Sequence, residues 1–263
     1  MKISVLMENT ALNDNFQAEH GLSLYLKTKT KNILFDSGAS PAFAENALRL
    51  GIDLTRVDCT VLSHGHYDHG GGLHKFLEIN QRAPIYISRQ AFGQYYAGQD
   101  RYIGLDPDLQ QAQQIVLTQD SLTLAPGITL CNCQGLPLHH SINSYGLNKV
   151  VEEVFVPDDF LHEQYLIIEE NGKRIVFSGC SHRGILNIME WLHPDVLIGG
   201  FHFMKLDPQT AKGRASLDRA AEILNSYPCT YYTCHCTGLE QYEYLQQRMP
   251  HLHYLAAGCV LEL

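Results

Sequence analysis

Short apolar runs alternate along the chain with segments whose apolar residues recur every three or four positions. Glycine, proline or asparagine marks the changes. ISVLM (3–7) reads as a strand, and LSLYLKT (22–28) with NILFDSG (32–38) flanks a polar link and reads as a hairpin. PAFAENALRLG (41–51) has helical spacing, with Pro41 suited to the first turn and Gly51 to the stop. CTVLS (59–63) reads as a buried strand, GLHKFLEIN (72–80) as a helix and PIYIS (84–88) as a strand. IVLT (115–118) and ITLCNC (128–133) are further strands. The order then recurs. QYLIIEENGKRIVFSGC holds Asn171-Gly172 between two apolar runs, a hairpin signal. ILNIMEWL (185–192) is helical, DVLIGG (195–200) a strand, DRAAEILNSY (218–227) a helix, CTYYTC (229–234) a strand and LEQYEYLQQR (239–248) a helix. The closing HYLAAGCVLEL reads as strand.

The two halves match in detail. KNILFDSG at 31–38 parallels KRIVFSGC at 173–180, and each half continues through helix and strand to a histidine, TVLSHGH and DVLIGGFH. Strands resemble one another in general, so the match has an ordinary reading too. Read as a duplicated ββαβ unit, it predicts an α/β chain folded as a four-layer αββα sandwich. The expected organisation is a single domain, 1–263, with pseudo-halves of about 1–135 and 136–263. A ligand site would lie at the strand ends between the halves. Residues 98–114 show neither period and read as a lid or as a plain surface excursion.

Composition narrows the function classes. Hydrophobic residues make up 45% of the 263 positions, enough for a large core. A formal net charge of −9 argues against a nonspecific nucleic-acid binder, which needs excess Lys and Arg. No apolar window is long enough for a membrane span, and the N-terminal run is too short for a signal peptide. The expectation is a cytoplasmic protein with reduced thiols among its eight cysteines.

The densest chemistry is SHGHYDHGGGL at 63–73. His64, His66, Asp68 and His69 follow a buried strand, and the surrounding glycines predict a tight loop rather than a helix. In such a loop His64 and His66 can converge on one ion, and Asp68 and His69 on a second. Imidazole and carboxylate suit zinc, manganese or iron. Gly70, Gly71 and Gly72 are expected to let the backbone turn steeply into the next helix.

This H-x-H-x-D-H pattern after a hydrophobic strand resembles the signature of the metallo-β-lactamase superfamily of metal-dependent hydrolases. AEHGLS (18–23), ILFDSG (33–38), SGCSHRGI (178–185), GGFH (199–202) and CHCTG (234–238) resemble a subgroup labelled as similar to a dihydropterin ribofuranosylaminobenzene-phosphate synthase. The resemblance implies an αββα fold and two divalent metal ions, zinc foremost, that generate a metal-bound hydroxide. It also implies a middle histidine, a bridging aspartate and a late histidine. The chain departs from that pattern: Gly179-Cys180 stands where Gly-Asp would be. Cys180 as thiolate, or His182 two residues on, fills the gap. For the late histidine, the superfamily's long spacing favours His235 over His202, whose loop would then face the cleft as a substrate or proton-transfer group. His139 or His140 are further candidates for the middle histidine. Cys234 and Cys236 would point away from His235 in an extended segment. His74 reads as a surface residue. His20 and Asp36 are expected beside the ligands, Asp36 fixing a histidine tautomer, with helix capping as its plainer role. Asp68 and His202 are the expected catalytic groups.

The implied activity is hydrolysis of a small anionic ester, phosphoester or lactone, with Tyr95, Tyr96, Arg101 and Tyr102 as guesses for substrate contact. No nucleic-acid or membrane partner is expected. The alternatives are a metal-binding sensor without turnover, a nuclease, or a di-iron redox protein. The di-iron proteins carry glutamate where this chain has His66.

Overall fold

The computed structural model describes all 263 residues. The first stretch of chain runs through β1 (Lys2–Met7), β2 (Ser23–Lys27), β3 (Asn32–Phe35), α1 (Ala42–Arg49), β4 (Cys59–Val61), α2 (Tyr67–Gly70), α3 (Leu73–Ile79) and β5 (Ile85–Ser88). Short strands follow: β6 (Tyr95–Ala97), β7 (Arg101–Tyr102), β8 (Ile115–Thr118), β9 (Leu122–Ala125), β10 (Ile128–Cys131), β11 (Leu147–Val151) and β12 (Val154–Pro157). The remainder holds β13 (Tyr165–Glu170), β14 (Lys173–Phe177), α4 (Ile185–Leu192), β15 (Val196–Ile198), α5 (Ala211–Asn225), β16 (Thr230–Thr233), α6 (Leu239–Gln246), β17 (Leu252–Tyr254) and β18 (Val260–Glu262).

Two seven-stranded sheets face each other, in the orders β18-β1-β2-β3-β4-β5-β8 and β17-β16-β15-β14-β13-β10-β9. In each, an antiparallel hairpin leads into parallel strands: β2-β3 into β4 and β5, and β13-β14 into β15 and β16. The second hairpin turns at Asn171 and Gly172, whose positive φ values of 54° and 75° fit the strand twist. Alternate residues of one strand enter different cores. Ile33 and Phe35 point between the sheets, while Leu34 points to the outer layer with Phe43 of α1 and Phe76 of α3. Likewise Ile175 and Phe177 enter the central core, and Val176 meets Ile188 and Leu217 of α4 and α5. This is the expected four-layer αββα sandwich.

The differences from the sequence reading have local causes. Helix α5 begins at Ala211, seven residues before the expected start, because Thr210 caps it by accepting Gly213 N–H (3.0 Å). The polar AKGRAS lacks an apolar period and hides that turn. The closing HYLAAGCVLEL is two strands in two sheets: β17 edges the second, and β18 pairs with β1 of the first. Residues 98–114 are not free of structure. Arg101–Tyr102 pairs with β6, and β6 pairs with β11, giving a small four-stranded sheet, β12-β11-β6-β7. No helix is long and apolar enough to cross a membrane.

The central core carries a direct stability test. The rings of Phe35 and Phe177 meet across the sheets with centroids 5.6 Å apart, both buried. Phe177→Ala is expected to cost about 3–5 kcal/mol, read as a lower midpoint in chemical denaturation with circular dichroism.

Candidate metal centre

Most residues of the site lie just beyond the C-terminal ends of neighbouring strands. Asp36 follows β3, residues 63–69 follow β4, Cys180 and His182 follow β14, His202 follows β15, and His235 follows β16. The loop expected over 63–69 is a loop only as far as His66. Tyr67–Gly70 forms one helical turn, capped by His66 in an extended conformation. The glycines after it do not serve a steep turn, since Gly71 and Gly72 have helical φ values of −64° and −80°. They are needed for close approach: a Cβ at Gly71 would collide with the Ala39 carbonyl oxygen, and one at Gly72 with that of Ser37. Gly65 is packed in the same way against Ala91.

Asp36 organises the histidines. Buried, at φ 58°, it accepts Ser63 N–H on Oδ1 (2.7 Å) and the Ser63 hydroxyl on Oδ2 (2.7 Å). His69 Nδ1 is 2.7 Å from the same Oδ2. A carboxylate only accepts, so His69 carries its proton on Nδ1 and turns Nε2 inward. The Ser63 proton is committed to Asp36, so Ser63 Oγ accepts from His64 Nδ1 (2.9 Å), and His64 also turns Nε2 inward. His235 Nδ1 faces Asn9 Oδ1 at 2.7 Å, which directs a third Nε2 the same way.

The inward atoms converge. His64 Nε2 lies 3.0 Å from His66 Nδ1 and 3.3 Å from His182 Nε2. His69 Nε2 lies 3.2 Å from His235 Nε2 and 3.2 Å from Cys180 Sγ. Asp68 Oδ2 is 3.3 Å from His235 Nε2 and 4.0 Å from His69 Nε2. With Nδ1 protonated on both His69 and His235, their Nε2 lone pairs face each other at 3.2 Å, an arrangement that a shared positive charge relieves. The donor atoms fit one or more divalent cations.

The electrostatics point the same way. Burial, reinforced by neighbouring imidazoles, pushes His64 and His182 well below the usual histidine range and His66 down to about 3. At His69 burial opposes the charge, but the Asp36 and Asp68 carboxylates raise it to about 9. Burial also opposes the charge on Asp68, yet His69, His20 and His235 hold its carboxyl well below the usual range. The pocket thus offers neutral imidazoles, an ionised carboxylate and a nitrogen that attracts positive charge.

Of the other expected residues, His20 is half-exposed with Nε2 3.3 Å from Asp68 Oδ2, and His202 lines the cleft 4.2 Å from the His182 ring. His139 and His140 are not part of the cluster. They lie beside Glu190, with His140 Nε2 2.8 Å from its Oε1. His74 pairs with Asp106 on the surface. Cys236 departs from expectation. Residues 235–237 form a tight turn rather than extended chain, so Cys234 enters the central core while Cys236 lines the cleft and donates to the Cys180 carbonyl (3.1 Å). Of the four aromatic and basic guesses only Arg101 lines the cleft. Tyr95 is buried with its hydroxyl on the Gln90 carbonyl, Tyr102 bonds the Leu105 carbonyl, and Tyr96 packs on Phe155 and Tyr102.

Several supporting residues escaped the sequence reading. Glu163 is buried, which raises its pKa, and it accepts N–H from His182 (2.7 Å) and Arg183 (3.1 Å). Glu8 holds His235 N–H in the same manner (2.6 Å). His162 Nδ1 accepts Gly65 N–H (2.9 Å) while its Nε2 faces Asp158 Oδ2 (3.1 Å). Phe160 stacks on the His182 ring at 4.5 Å and 11°. The available signal was polar residues abutting strands: ENT directly after β1, and HEQ directly before β13.

Asp36→Ala would leave three buried donors without an acceptor. At about 1–3 kcal/mol for each buried unsatisfied group, the fold should lose about 3 kcal/mol or more, measured by denaturant unfolding without added metal.

A sequence model of the metallo-beta-lactamase superfamily matches residues 17–224. An uncharacterised protein of Methanocaldococcus jannaschii is 28% identical over 256 residues, covering 93% of this chain and 94% of that protein. Another protein of that organism, named 7,8-dihydropterin-6-methyl-4-(beta-D-ribofuranosyl)-aminobenzene-5'-phosphate synthase, is 30% identical over 269 residues, covering 91% of this chain and 88% of its own. A crystal structure described as a metal-dependent hydrolase of the beta-lactamase superfamily is similar with a TM-score of 0.86 and 27% identity, over 100% of this chain and 99% of that one.

Proposed function

Because the chain belongs to the metallo-β-lactamase superfamily, we propose that it is a dinuclear metal-dependent hydrolase of a small anionic ester, phosphoester or lactone. His64, His66 and His182 would hold one divalent cation; Asp68, His69, His235 and Cys180 would hold the other. Zinc suits these donors best, with manganese or iron as the other fitting ions. The observation that carries the reading is the convergence of the His64, His69 and His235 Nε2 atoms, each turned inward by a hydrogen bond at its Nδ1.

Divalent cations in such a site supply Lewis acidity and make hydroxide available from water near neutral pH. The protein's own groups do the rest. Asp36 and Asn9 fix ring orientation, and Glu163 and Glu8 hold the backbone of His182 and His235. Asp68 Oδ2, already facing His20 and His235, is placed to accept a proton, and His202 lines the same cleft as a proton-transfer group. Arg101 and Lys205 line the cleft beside apolar Ile103, Leu147 and Met204. Two cations next to an apolar wall suit an anion carrying a nonpolar part. The relative named as a 5'-phosphate synthase points to a phosphorylated organic compound as the first class to try. The eight free thiols and the net charge of −9 fit a cytoplasmic enzyme with a small-molecule substrate and no nucleic-acid partner.

The double variant His66→Ala, Asp68→Ala is expected to lose bound metal, measured by elemental analysis, together with all hydrolysis across a panel of phosphoesters, esters and lactones. Retention of both would overturn the proposal. Arg101→Ala is expected to raise KM for an anionic substrate about tenfold with kcat little changed, equivalent to about 1.4 kcal/mol, measured by steady-state kinetics.

A further inference from the structure

Cys131 and Cys133 lie outside the cluster just described. We propose that they form a redox-active dithiol, which closes to a disulfide by exchange with a low-molecular-weight disulfide. Cys131 ends β10, and Cys133, two residues on, has a positive φ of 52°. Along a regular strand, residues two apart are separated by about 6.6 Å, and nothing brings their side chains together. Here the two Sγ atoms lie 3.2 Å apart. A disulfide needs about 2.05 Å, a closure of about 1 Å.

The two thiols are unequal in the way an exchange reaction needs. Cys131 is half-buried and Cys133 is buried. The Cys133 thiol, hydrogen-bonded to Cys131, brings Cys131 down to about 6 against the effect of burial, helped by Ser121 and the charge of Arg183. The same contact, with burial, raises Cys133. The reachable sulfur is therefore the thiolate nucleophile, and the enclosed one keeps its proton for the second step. The Arg183 guanidinium is anchored by donating to the carbonyl of Asn132, the residue between the two cysteines (3.1 Å). A metal site is the poorer reading: Cys-x-Cys is poor spacing for structural zinc, and neither cysteine joins a third ligating group in any of the His/Cys/Asp/Glu clusters.

The reaction balances without a further reactant. The Cys131 thiolate attacks one sulfur of the small disulfide, whose S–S bond breaks, and the first small thiolate leaves and takes up a proton. Cys133 then gives up its proton and attacks Cys131 Sγ, expelling the second small thiolate. One small disulfide is reduced to two thiols, and the protein dithiol is oxidised by two electrons.

The test uses the intact wild-type protein equilibrated with millimolar oxidised glutathione, then alkylated, digested with trypsin and analysed by mass spectrometry. The fragment between Arg101 and Lys149 contains Cys131 and Cys133 and no other cysteine. It is expected to lose two hydrogens and to resist alkylation, and to recover both thiols after reduction. Cys133→Ser should instead trap one glutathione on Cys131, and Cys131→Ser should give neither disulfide nor adduct in this fragment. Two alkylatable thiols after oxidation of the wild type, or a stable glutathione adduct without ring closure, would overturn the proposal. Neither result depends on metal binding or hydrolysis.

Discussion

The site depends first on one buried carboxylate. Asp36 stands where β3 ends, in a left-handed backbone conformation, and its side-chain hydrogen bonds all go to the segment after the neighbouring strand β4. It fixes the His69 ring directly and the His64 ring through Ser63, so one residue sets two tautomers. Without it, the inward nitrogens of both rings would be free to carry protons, and a cation would have to displace them. The helix-capping role open to a residue before Ser37-Gly38 is not the one it plays.

The fold explains why so many ligating side chains meet. In each sheet a hairpin feeds parallel strands, and the loops at their C-terminal ends gather along one rim, as α/β sheets generally place their ligand sites. Packing the two sheets face to face brings the rim of β3 and β4 against that of β14, β15 and β16. The central core, with Phe35 opposite Phe177, sets this separation. The small sheet of β6, β7, β11 and β12 contributes Arg101 and Leu147 to the cleft, completing it from outside the repeated units.

Much of this was legible in the sequence because it rests on local chemistry. The strand CTVLS followed by His64-Gly65-His66 marked the loop, and Asn171-Gly172 marked the hairpin with the backbone conformation it adopts. The match between KNILFDSG and KRIVFSGC signalled two equivalent sheets. What escaped was set by long-range contact. Glu163 and Glu8 act on backbone amides 19 and 227 positions away. His162 reaches Gly65 across 97 residues. The glycines after His69 were visible, but their reason was not: they admit the carbonyls of Ala39 and Ser37, neighbours that only the fold supplies. Cys236 departs from strand alternation because a one-turn helix replaces the extended segment that alternation assumes.

The segment 158–164 joins the two sheets at the rim. Besides the contact from His162 to Gly65, Gln164 N–H donates to the Ser63 carbonyl (2.8 Å) and its side chain to that of Leu62 (2.7 Å). In the other direction, Glu8 at the end of β1 grips the turn at His235. Each half of the sandwich thus braces the other's loop with hydrogen bonds that exist only once the sheets have docked. Assembly of the pocket and closure of the sandwich are therefore one cooperative event. An intermediate with a single sheet formed would hold half the donors and bind a cation weakly, so tight ion uptake during refolding would time the docking of the two sheets.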